Sequence, residues 1–267
     1  MGRFGIMCRR PVPIVMVFLG LCVPLSAQLG PEIARRHAER AGRKLAELRS
    51  LYAEGRTFIG AEVVPFKTWA MRPDLLRVES AAGGKKVVRC YDGVREPWLS
   101  HWAVKDGAPQ RMTPADARDF INNADFTGAL TGYAAKGFSV DYAGEEEVDG
   151  QRAYKLLVMS PRDEVSFYWM DARHFEIVKR AVFRVSDGKR APVETFFRDY
   201  RPVGGVRQPH RVETRAGEKT LYVTVIDKME ANPKKWPKDL FAAPEGWPDL
   251  KKPADVVAEA LERQLGR

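Results

Sequence analysis

The residue types that most often carry chemistry are few and scattered in this chain. The four histidines, His37, His101, His174 and His210, lie far apart, and none has a second ligand type at metal-binding spacing. Cys8 and Cys22 lie ahead of Ala27, which leaves Cys90 as a lone thiol further on. Cys90 sits in Val87-Val88-Arg89-Cys90-Tyr91, a strand-like run that predicts burial as a small hydrophobe rather than nucleophilic use with a distant histidine. There is no Gly-x-Ser-x-Gly elbow. Gly83-Gly84-Lys85-Lys86 lacks the spacing of a phosphate loop and reads as a basic hairpin turn. Glu145-Glu146-Glu147 reads as a solvated edge ahead of the Asp149-Gly150 turn. These residues predict no enzyme, no metal and no cofactor. What stands out is a surplus of large apolar side chains: Trp69, Trp98, Trp102, Phe167, Trp169, Phe196 and Phe197. Each alone reads as core. Together they fit the wall of an apolar cavity, because curved β structures commonly hold small apolar ligands in this way.

The elements that would position them are mostly strands. Segments rich in β-branched and aromatic residues run over Phe58–Trp69, Leu75–Ser80, Lys86–Tyr91, Pro97–Lys105, Phe138–Tyr142, Ala153–Ser160, Glu164–Asp171, Glu176–Val185, Glu194–Tyr200, Arg211–Arg215 and Thr220–Met229. Gly83-Gly84, Asp92-Gly93, Asp106-Gly107, Asp149-Gly150, Asp187-Gly188 and Gly204-Gly205 separate many of them, and such pairs accept the positive φ of tight hairpins. Short gaps force antiparallel pairing. In Phe175–Val185, Phe175, Ile177, Ala181, Phe183 and Val185 fall on one parity, while Glu176, Arg180 and Arg184 fall on the other. One covered and one wetter sheet face follow. Helices are expected over Pro31–Leu51, from Thr113-Pro114, from Asp125 through Phe126, Leu130 and Tyr133 to Gly137, and near Pro253–Leu265. The first is basic on one side and alanine-rich on the other, which suggests packing on a protein core. The fold class is α+β and mainly β: a curved antiparallel sheet covered on its concave side by helices.

The chain opens like an export signal. Arg3, Arg9 and Arg10 precede an apolar run over Val12–Leu25, and Leu25-Ser26-Ala27 offers small residues for cleavage near Ala27. The run is short and interrupted for a permanent span. Bulky Leu21 before Cys22 argues against lipidation. The expected organisation is a signal peptide over 1–27 and one domain over 28–267. Removing the signal lowers the formal net charge of +9 by three. The remaining basic residues are spread out, which argues against a nucleic-acid partner and fits a weak preference for anionic lipid or an acidic partner.

Trp69-Ala70-Met71-Arg72-Pro73-Asp74-Leu75-Leu76-Arg77 resembles the outer-membrane lipoprotein-sorting carriers, the LolA/LolB-like proteins, in which an aromatic strand end runs into Arg-Pro and a second strand. Tyr91-Asp92-Gly93 followed by Trp98, Gly144–Leu156, Asp199-Tyr200-Arg201 leading to Gly204-Gly205, and Leu240-Phe241-Ala242-Ala243-Pro244-Glu245-Gly246 follow the same order. The resemblance implies a half-open barrel whose interior receives lipoprotein acyl chains, passed between inner- and outer-membrane complexes by a monomeric periplasmic carrier. It places Arg72 where a lid-holding arginine would donate to lid carbonyls, a task that suits a fork of fixed donors. With the surplus aromatic residues, the candidate ligand-binding set is Arg72, Trp69, Trp98, Trp102, Phe126, Leu130, Phe167 and Trp169. A non-transporting sensor or protein-binding module of the same fold is the alternative; it predicts a filled interior, whereas a carrier predicts an open cavity. The chain departs from the family in its length over Gly107–Lys136 and after Pro244, and in its basic first helix.

Overall fold

The computed structural model describes residues 25–250 apart from 102, 105, 106, 163, 187 and 188. The first part of the expected signal, Trp102, the Asp187-Gly188 turn and the expected last helix therefore lie outside the described residues. Helix α1 spans Leu25–Glu47 and α2 spans Pro114–Ala124. The strands are β1 (Ser50–Ile59), β2 (Glu62–Met71), β3 (Leu75–Ala82), β4 (Lys85–Asp92), β5 (Trp98–His101) and β6 (Gln110–Arg111) in the first half of the chain. In the second half they are β7 (Ser139–Val148), β8 (Gln151–Met159), β9 (Val165–Asp171), β10 (Ile177–Ser186), β11 (Lys189–Val203), β12 (Val206–Ala216) and β13 (Lys219–Ala231).

All the strands join one curved, open antiparallel sheet in the order β6-β5-β4-β3-β2-β1-β13-β12-β11-β10-β9-β8-β7. Two meanders, each built from sequential hairpins, meet where β1 pairs with β13. The tight turns explain the meanders. Asp149-Gly150 and Gly204-Gly205 have positive φ at both positions, the conformation that matches a hairpin to the twist of its strands. Edges β6 and β7 do not pair; the chain between them, α2 and residues 125–137, passes across the concave side.

Thr113 caps α2 as its hydroxyl predicts, accepting from the Asp116 amide at 3.2 Å, with Pro114 in the first turn. Phe120 and Ala124 of α2 bury against Ala70, Leu76 and Tyr91. Helix α1 crosses the rest of the concave side. Ile33 and Ala34 pack on Val140, Leu156, Val158 and Met170, and Leu45 and Leu48 pack on Val203 and Val206.

Three expectations need correction. Helix α1 begins ahead of Pro31, breaks at Gly42 (φ 57°, ψ −154°), and ends at Glu47, so Leu51 belongs to a strand. The expected long strand Phe58–Trp69 is instead the end of one strand and most of the next, turning at Gly60-Ala61. Residues 125–137 form turns, not a helix, because Gly128, Gly132 and Gly137 all take positive φ. Asp125 caps the Thr127 amide at 3.0 Å, and Lys136 closes the segment on Asp125, on Thr127 Oγ1 (2.9 Å) and on the Gly128 carbonyl (2.8 Å).

Candidate ligand cavity

A cavity of about 960 Å³ lies under α1, α2 and the 125–137 turns, against the concave face of β9–β12. Strand alternation decides who lines it. Ser166 and Tyr168 of β9 line the cavity, while Phe167 and Trp169 go to the opposite face. From β10 come Ile177, Arg180, Val182 and Arg184, joined at its far end by Phe183, and from β11 Arg190, Phe197 and Tyr200. A register shift between Ile177 and Lys179 puts Ile177 on the same face as Arg180. The parity that looked wet in the sequence is therefore the cavity side. Its former opposite, Ala181, packs outward with Val148, Ala153, Trp169 and Phe196.

The lining is mixed. Leu45, Ile121, Phe126, Phe138, Ile177, Val182 and Phe197 supply apolar surface. His37 of α1 donates from Nδ1 to the Phe175 carbonyl at 2.8 Å, and burial lowers its pKa, opposed by that carbonyl and by Glu176. Tyr200 donates to the Ile177 carbonyl at 2.6 Å; burial first, and Glu176 second, push its ionisation up. Burial likewise raises Asp74, reinforced by the charge of Asp125. Four basic residues of the wall are matched by acids: Arg118 with Glu164 (3.0 Å), Arg207 with Glu176 (2.5 Å), Lys136 with Asp125 and Arg184 with Asp119. Arg180 is different. It lies over the Tyr168 ring at 5.6 Å, and its Nε is buried with no hydrogen-bond partner. Among the described residues no group of three or more histidine, cysteine, aspartate or glutamate side chains is placed to hold a metal ion.

The residues expected from the sequence separate into three places. Phe126 lines the cavity, with the Arg72 guanidinium 5.8 Å from its ring. Arg72 itself donates from Nε to the Leu48 carbonyl and from Nη2 to the Leu45 carbonyl, both at 2.8 Å, so it holds the end of α1 over the sheet. Leu130, 1% exposed, is locked in the core beneath α1 and borders a shallower groove against that helix. Trp69 and Trp98 do not reach the cavity. They pack on the convex face with Cys90, under Leu240 and Phe241 of the segment that follows β13. The closing segment is fastened there by Trp247 Nε1 donating to the Glu96 carbonyl at 2.8 Å. Phe167 and Trp169 do not reach the cavity either. Their rings are 6.2 Å apart on the convex face of the other half, where Lys155 and Lys179 cover Trp169 at 5.1 and 4.4 Å. Cys90 is fully buried, as expected, and burial lifts its thiol pKa to about 11.

This architecture can be set beside known structures. It superposes on an outer-membrane lipoprotein-sorting protein domain from Vibrio parahaemolyticus with a TM-score of 0.55 at 11% identity, covering 80% of this chain and 97% of that one. A LolA-superfamily protein from Nitrosomonas europaea gives 0.55 at 17% identity, covering 82% and 99%. The fold is that of the LolA superfamily. A DUF1329 family protein from Desulfovibrio piger shares this LolA-like fold, with a TM-score of 0.56 at 13% identity over 80% and 97% of the two chains. No family model and no curated protein matches the sequence. His37, Arg180 and Tyr200 are among the cavity residues that sequence reasoning missed; the basic parity of β10 was a signal for Arg180 alone.

Proposed function

We propose that this protein is an exported, periplasmic carrier that holds an acyl chain, of a lipoprotein or of a lipid, in the cavity beneath α1 and α2. The observation that carries the reading is the cavity itself. A volume of about 960 Å³, whose mixed walls include a run of aliphatic and aromatic surface from Ile121, Phe126, Ile177, Val182 and Phe197, is left open where a packed sheet-and-helix layer would be filled. Affinity in such a site comes from burying methylenes at roughly 0.8 kcal/mol each, so a chain is held firmly yet stays exchangeable. No cofactor is needed. Cleavage near Ala27 would remove the first residues of α1 and leave its contacts with β7–β9 intact. Among the described residues no helix is long and apolar enough to cross a membrane.

Native mass spectrometry of the protein recovered from the periplasm, followed by lipid extraction, tests this reading. Copurifying acylated species are expected, and Val182→Trp, which fills the cavity, is expected to abolish them. A clean apo mass that also rejects added acylated peptides and lipids would instead favour a non-transporting module.

A further inference from the structure

The cavity wall carries more positive charge than its own acids neutralise. Once the four matched pairs are set aside, Arg40, Arg180 and Arg190 stand against Asp74 alone. Arg190 lies 4.8 Å from the Phe183 ring, and Arg40 sits on α1 without a carboxylate partner among the described residues. Arg180 is the most demanding of the three. It stands mid-strand on β10, opposite Tyr168 of β9 and Thr195 of β11, with Nε buried and unpartnered. Ile177, Val182 and Phe197 border the same space. A neutral hydrocarbon drawn in beside this guanidinium would strip water from an unpaired charge and give nothing back, which is costly. An oxyanion would complete it through charge-assisted hydrogen bonds.

We propose that the cavity takes a long-chain amphiphile with an anionic head, a carboxylate or phosphate oxyanion, and that Arg180 holds the head while the chain lies along the apolar wall. This rests on the carrier reading and narrows its cargo. It also assigns the bordering arginines a purpose: Arg40 and Arg190 raise the local positive potential without contacting the head.

The test is equilibrium dialysis of the intact protein against ligands that share one chain and differ in the head: laurate, dodecyl phosphate and dodecanol. Acetate and inorganic phosphate serve as free anions. Laurate or dodecyl phosphate is expected to bind about ten- to hundredfold more tightly than dodecanol, the worth of a charge-assisted hydrogen bond, and the free anions are expected not to compete. In Arg180→Met the preference for the charged head is expected to vanish while dodecanol binding is retained; Arg180→Gln, which keeps a hydrogen-bonding side chain, is expected to fall between. Equal binding of all three amphiphiles by the wild type overturns the proposal, as does a preference that survives Arg180→Met. Competition by free phosphate alone overturns it too, in favour of a simple anion site. If neither variant folds, the wild-type comparison still decides whether the cavity selects an anionic head. Failure of every amphiphile to bind is a different result and sinks the carrier reading itself.

Discussion

The concave face of this sheet is filled over β2–β4 and open over β9–β12. In the filled half, Phe120 and Ala124 of α2 lie directly on Ala70, Leu76 and Tyr91, a layer with native packing. In the open half, α1 touches the sheet at two places, through Ile33 and Ala34 on one side and through Leu45, with Leu48 just past its end, on the other, and bridges the space between. The helix over the filled half presents Phe120 and Ala124 to the sheet; the helix over the open half presents His37 and Arg40 to the cavity. The same curved sheet therefore does two jobs. One half supplies stability, and the other trades packing for room.

The sharpest way to break this contrast is to truncate one phenylalanine in each half. Phe120→Ala is expected to cost about 3–5 kcal/mol in denaturant unfolding, because it opens a hole in a closed layer. Phe197→Ala enlarges a space that already exists and is expected to cost about 1 kcal/mol. Equal losses would mean that the cavity is packed in solution. Next in size is Arg72→Met, which removes two hydrogen bonds to the last turn of α1 and is expected to cost about 2–4 kcal/mol. Faster amide hydrogen exchange at the end of α1 should accompany it, and Arg72→Lys should not restore the loss. If exchange rises equally along all of α1, Arg72 is a general stabiliser rather than the pin that holds the bridge over the cavity.

A smaller effect is expected on acidification. His37 has a folded pKa below its ordinary 6.5 because of burial. Above that value it is neutral in both states and adds no slope. Below it the unfolded chain takes up a proton that the folded chain resists, so stability falls as pH drops. His37→Gln should flatten this acid limb in stability measurements across pH 7 to 5; an unchanged limb would show that other groups govern it. The smallest perturbation concerns Cys90, whose thiol is buried on the convex side of the filled half and lifted to about 11. Iodoacetamide at neutral pH should leave it unlabelled until the protein unfolds. Rapid native labelling would mean that the segment carrying Leu240 and Phe241 lifts away from it.

Much of this was legible in the sequence. The hairpin turns and the strand-rich segments after Leu75 were readable because Asp-Gly and Gly-Gly pairs punctuate alternating runs. Strand β1 was hidden, because the helical spacing of Leu45 and Leu48 continues into Leu51, and because Ala53 and Gly55 weaken the strand signal. The false helix over 125–137 arose from weighting Phe126, Leu130 and Tyr133 above three glycines. The site was harder to see for a geometric reason. Side-chain size is visible in a sequence, but the face of a sheet changes with every residue, and one bulge reverses it. Tyr168 enters the cavity while its neighbours Phe167 and Trp169 leave it, and the bulge after Ile177 turned the apparently wet parity of β10 inward.

The seam between β1 and β13 has a kinetic meaning. Asn232 accepts from the Arg49 amide at 2.8 Å and donates to the Glu47 carbonyl, joining positions 183 residues apart, whereas the other strand pairs are hairpin neighbours. Each meander can form from local contacts, but the seam must close a very long loop, and that entropy has to be met before its hydrogen bonds return anything. Closure of the seam is thus expected to be the slow step in reaching the native state. Gly55, where a Cβ would stand 2.1 Å from the Val225 carbonyl oxygen, is the point at which that closure is most easily obstructed.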